Sequence, residues 1–117
     1  FPEAVRAAAV AGAEVLLVPT ALGADWGVVS ERVVPARAFE NGIYLAYANH
    51  AGREGEITYF GGSCLVGPDG RDLARAGASA TLIRADVDPA RVRAAQARLP
   101  YHRDRLLLLE RIGKDGD

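Results

Sequence analysis

The sequence predicts an α/β fold, and three observations carry that prediction. Helix start and stop signals bracket Pro2 to Ala11, an apolar run follows directly at Val15-Leu16-Leu17-Val18, and helical and extended patterns alternate through the first half. Pro2 stands where a first helical residue loses nothing by lacking an N–H, Glu3 complements the helix dipole, and Gly12 lies just past the alanine run. Val15–Val18 shows no alternation, as expected of a parallel strand buried on both faces, and Pro19 ends it. The loop from Thr20 to Gly27 then leaves the carboxyl end of a strand, where α/β sheets present ligand sites.

Val28 to Asn41 reads as a second helix, with Val29, Val33, Ala36 and Phe39 at helical spacing; Pro35 inside it predicts a kink or a late start. Ile43–Asn49 is a strand rich in aromatic and aliphatic residues, and the polar, glycine-bearing stretch from His50 to Tyr59 is read as a loop. Gly62–Val66 forms a third strand. Pro68-Asp69-Gly70 supplies turn chemistry for a hairpin into Asp72–Arg75. Thr81–Val87 alternates in the manner of a strand, Asp88 caps a helix from Pro89 to about Arg98, and Tyr101 to Leu109 can form a short helix. The end, Gly113 to Asp117, is expected to be disordered.

With 117 residues, half of them hydrophobic, the chain suffices for one small domain or part of a larger one. A net charge of -1 without basic runs gives no expectation of a nucleic-acid partner, and no apolar stretch is long enough for a membrane helix. A single cysteine cannot form an internal disulfide, so a cytoplasmic setting is expected. The opening Phe1-Pro2-Glu3 has neither methionine nor signal-peptide pattern, and a missing N-terminal part is expected.

The chemistry on offer is sparse. Cys64 in Phe60-Gly61-Gly62-Ser63-Cys64-Leu65-Val66 lies within an apolar strand rather than at an exposed turn beside a base, so it is read as a packing residue. The same stretch lacks the second glycine of a serine elbow, and Ser63 is read as a hydroxyl satisfied within the sheet. Gly61-Gly62 lacks the phosphate-loop pattern, and His50 and His102 have no metal-type spacing to Cys64, so neither cofactor nor metal is expected. Glu54 and Glu56 could do acid–base work, although an exposed charged loop is their commoner meaning. Lys114, the sole lysine, sits in the tail.

Phe1-Pro2-Glu3, Leu16-Leu17-Val18-Pro19-Thr20-Ala21, Ala36-Arg37-Ala38-Phe39-Glu40-Asn41, Ala46-Tyr47-Ala48-Asn49, Tyr59-Phe60-Gly61-Gly62-Ser63 and Gly67-Pro68-Asp69-Gly70 together resemble the carbon-nitrogen hydrolase family, the nitrilase superfamily. Tyr101 to Arg105 adds to the match, which runs in order over nearly the whole chain. The resemblance implies a four-layer α-β-β-α sandwich, of which residues 1–112 would be the C-terminal portion. It implies hydrolysis of non-peptide C–N bonds by a cysteine nucleophile, a glutamate base and a lysine, all expected upstream of Phe1. A fragment without them would be inactive alone.

In such an enzyme the thiolate attacks an amide carbonyl, the lysine and a backbone N–H hold the oxyanion, glutamate passes the proton to the departing ammonia, and water hydrolyses the thioester. By the same resemblance Thr20, Ala21 and Leu22 line the substrate pocket with Trp26 behind them, and Glu54 is a weaker candidate. Apolar Ala21 and Leu22 suit a small neutral amide. Nitrile or N-carbamoyl hydrolysis, and a non-catalytic α/β interaction module, are the alternatives. The full-length protein is expected to be a homo-oligomer, although the apolar Leu106–Leu109 run departs from the family's usual charged end.

Overall fold

A computed structural model of the chain describes residues 1–114. Helix α1 spans Pro2–Val10 with proline in its first turn, and strand β1 follows at Val15–Thr20. A 3-10 turn at Ala24–Trp26 leads to a π-helical turn at Val29–Val33, which runs into helix α2 at Val34–Asn41. Pro35 explains the change of pitch. Its ring displaces the preceding turn, and Val34 N–H donates to the Val29 carbonyl five residues back, so the helix widens ahead of the proline. Gly42, at φ +61°, closes α2 in the left-handed conformation, and a Cβ there would lie 2.9 Å from Gln96 Cγ.

Strands β2 (Tyr44–Asn49), β5 (Cys64–Val66) and β6 (Asp72–Arg75) join β1 in a four-stranded sheet of order β1-β2-β5-β6. The β1–β2 pair is parallel, with Leu16 beside Leu45, Val18 beside Tyr47 and Thr20 beside Asn49, and the remaining pairs are antiparallel. Because side chains alternate across a strand, those six residues and Cys64 share one face. That face holds the main core. Val34 and Ala38 of α2 pack there against Leu45, Tyr47, Cys64 and Val66. A second cluster, Ala9, Ile43, Tyr44 and Val92, ties α1 and helix α3 (Pro89–Arg98) to the sheet's near end. The Asp88 carboxylate accepts from Ala90 N–H at 2.9 Å, as expected of the α3 cap, and Tyr44 Oη pairs with both backbone groups of Asp88. The turn at Pro68-Asp69-Gly70 forms as expected, Gly70 N–H bonding the Gly67 carbonyl.

Four expectations need correction. The stretch from His50 to Tyr59 is not a loop: β3 (Ala51–Glu54) and β4 (Ile57–Phe60) form a hairpin joined by Gly55-Glu56, with Gly55 at φ +61°. Most of its side chains face solvent, so no hydrophobic alternation marks it. Thr81–Val87 forms no ladder, with Ile83 and Ala85 half-buried. β1 is neither ended by Pro19 nor covered on both faces: it runs on to Thr20 at the sheet edge, where a proline is tolerated, and Leu17 is 71% exposed. Helix α4 runs from Tyr101 to Lys114, so Gly113 and Lys114 are helical, while the expected disorder of residues 115–117 falls outside the described residues.

Candidate functional site

The carboxyl ends of β1 and β2 meet at a small buried polar centre around Asn49. Parallel pairing sets Thr20 beside Asn49, so a strand-end hydroxyl and a carboxamide point to the same side. Asn49 is 9% exposed. Its Oδ1 accepts from Thr20 Oγ1 at 3.0 Å and from Leu22 N–H at 2.7 Å, and its Nδ2 donates to the carbonyls of Leu22 at 3.2 Å and Gly61 at 3.0 Å. Every donor and acceptor position of the carboxamide is used. Main-chain bonds extend the centre, with His50 N–H on Thr20 O, Phe60 N–H on Leu22 O and Gly61 N–H on His50 O.

Ser63 replaces a ladder bond. Its Oγ accepts from Asn49 N–H at 3.0 Å and donates to Asn49 O at 3.3 Å, which satisfies it within the sheet. Beside this centre a hollow of about 290 Å³ opens between Asn49, His50, Gly61, Ser63, Gly77 and Thr81.

Thr20 and Leu22 are thus brought together by one side chain, with Ala21 exposed between them. Trp26 stands on the 3-10 turn, 59% exposed. Glu54 closes β3 with its side chain 74% exposed, 3.7 Å from His50 Nε2, whose ring lies tilted against Tyr59. The structure ties Thr20 and Leu22 to one carboxamide with Ala21 exposed between them, outside the lining of the neighbouring hollow, and leaves Glu54 on the surface. Asn49 and Gly61 are the residues that reasoning along the chain missed. A polar residue closing an otherwise apolar strand was the available signal.

Cys64 is fully buried. Burial pushes its thiol pKa up, and the nearby Arg75 guanidinium only partly opposes this. Arg75 is itself engaged, giving Nη1 to Ser30 Oγ at 2.6 Å and Nη2 to Ser30 O at 3.1 Å while its Nε holds the Asp72 carboxylate. Ser30 in turn donates to Gly62 O at 2.5 Å. With neither access nor a base, Cys64 acts as a core residue. Among the described residues no cluster of three metal-ligating side chains forms, and no helix is long and apolar enough to cross a membrane.

A family model described as carbon-nitrogen hydrolase matches residues 1–97. A Pseudomonas protegens protein named as a hydrolase in the pqqF 5' region is 47% identical over 88 residues, covering 75% of this chain and 31% of the relative. An (R)-stereoselective amidase of a Pseudomonas species is 34% identical over 110 residues, or 93% of this chain and 40% of the relative. Among solved structures, a variant amidase from Nesterenkonia sp. AN1, showing covalent addition of the acetamide moiety of fluoroacetamide at its active site cysteine, superposes with a TM-score of 0.79. It is 47% identical, and the match covers 95% of this chain and 39% of that one. The chain therefore spans between about a third and two fifths of the length of these proteins.

Proposed function

We propose, from the premise that the chain belongs to the carbon-nitrogen hydrolase family, that it is the C-terminal portion (residues 1–112) of a cysteine-dependent amidase acting on a small neutral amide. The observation that supports this reading is an ordered clasp at the strand ends beside a thiol that is buried away from it. Thr20 to Leu22 is pinned by Asn49 at the strand ends, while the chain's own thiol is sealed in the core.

A clasp of this kind holds and orients; it cannot attack. The nucleophile, base and lysine belong, in this reading, to sequence before Phe1. The thiolate would form a C–S bond to the amide carbon, the C–N bond would break with a proton passed to the leaving ammonia, and water would then release the acid. Ala21 and Leu22 present no charge, which favours a neutral amide over a carboxylate-bearing substrate. A cytoplasmic homo-oligomer accompanies the reading; the exposed Leu106–Leu109 run of α4, unlike the family's usual charged end, still suits packing on a second subunit.

The test begins with the parent gene, in which a cysteine is expected within a few codons before Phe1. The full-length protein should release ammonia from short aliphatic amides and lose that activity when this cysteine becomes alanine. Absence of the cysteine would favour a non-catalytic α/β module. Preference for nitriles or N-carbamoyl compounds would move the enzyme to another branch of the family.

A further inference from the structure

We propose that Asn49 is a positioning residue for substrate selectivity: its carboxamide fixes the bow of chain from Thr20 to Leu22, and thereby how closely Ala21 and Leu22 approach the acyl group. The proposal rests on the amidase reading above. Both flanks of Ala21 are tied to the same two side-chain atoms, Thr20 through its hydroxyl and Leu22 through its N–H and its carbonyl. The fourth bond, to Gly61 O, fastens this bow to the segment that follows β4. Asn49 is placed in turn by its parallel register with Thr20 and by Ser63 at its own backbone.

No other side chain reproduces this set. Aspartate has no donors for the Leu22 and Gly61 carbonyls, serine is too short, and glutamine carries the amide one methylene further. Losing the carboxamide leaves the Leu22 N–H without its partner and frees the bow to widen. A wider wall blurs discrimination between short and long acyl chains, because positioning errors of ångström scale are felt in the transition state.

The experiment uses the full-length enzyme and two probes, propionamide and hexanamide. In N49S the Leu22 amide should exchange with solvent about ten-fold faster, the loss of one hydrogen bond. The kcat/KM ratio of propionamide to hexanamide should fall by about three-fold or more. T20V, which removes one of the two donors to Oδ1, should move the ratio in the same direction by less, and it decides the matter if N49S does not fold. V66A, in the core away from the wall, should lower the Tm without changing the ratio. Wild-type enzyme that cleaves neither amide overturns the amidase reading and this proposal with it. Active wild type with unchanged ratios in N49S and T20V overturns the positioning role alone.

Discussion

Leu45 and Ala46 are neighbours on β2, yet Leu45 is sealed beneath α2 while Ala46 faces an open groove of about 460 Å³ shared with Leu17, Leu65 and Leu82. Both faces of the sheet are apolar. On one, Val34 and Ala38 close over Leu45, Tyr47, Cys64 and Val66; on the other, Leu17 is 71% and Leu82 83% exposed. Strand composition thus records the environment a sheet is built for, whereas helices within the chain cover only part of it. An α-β-β-α sandwich sets a second sheet against such a face.

Emptying the covered face should have the largest effect. Leu45→Ala removes a side chain from the centre of the core and should cost about 2–4 kcal/mol in urea unfolding. A loss under about 1 kcal/mol would mean that this face is not the one holding the fold.

Next in size is Gly62→Ala. Gly62 has φ +63°, and an added Cβ would sit 2.6 Å from the Phe60 ring and 2.9 Å from Ser30 Oγ, so a loss of about 1–3 kcal/mol is expected. The bare face should behave in the opposite way. In the 117-residue chain by itself, Leu17→Lys should change stability by less than about 0.5 kcal/mol while raising the monomer fraction in sedimentation. A large loss of stability would show that this face is already packed.

The smallest effects are those of titration. His102 lies where burial, then Arg6 and Arg105, lower its pKa, so the folded state resists protonation. As pH falls below about 6.5 the unfolded chain takes up a proton that the native chain refuses, and stability should decline there. Stability from this group is therefore present above that pH, and His102→Gln should flatten the acid side of a Tm–pH profile. Cys64 has the opposite sign. Its raised pKa keeps the thiol protonated in the fold, so its contribution is intact at neutral pH and fades in alkali as the unfolded thiol ionises. Iodoacetamide should label Cys64 slowly in the folded chain and quickly in urea; fast labelling of native protein would return it to candidacy as a nucleophile.

Much of the fold was legible along the chain because its signals act within a few residues. Pro2 starting α1, the disturbance at Pro35, the Pro68-Asp69-Gly70 turn and the Asp88 cap all depend on local dihedrals or on one nearby N–H. The β3–β4 hairpin was not legible, since its residues are polar on both sides and their cross-strand partners, not periodicity, hold them. Thr81–Val87 misled for the converse reason, showing alternation without a strand to pair with.

The α/β class, the family resemblance and the packing character of Cys64 are readable along the chain, because composition, order of motifs and local turn chemistry are written residue by residue. Which face of the sheet is covered, and that Asn49 clasps Thr20, Leu22 and Gly61, emerges only when the chain is folded. Those contacts join positions 29, 27 and 12 residues apart. Their geometry is set by parallel register and by chain packing, which no local signal encodes.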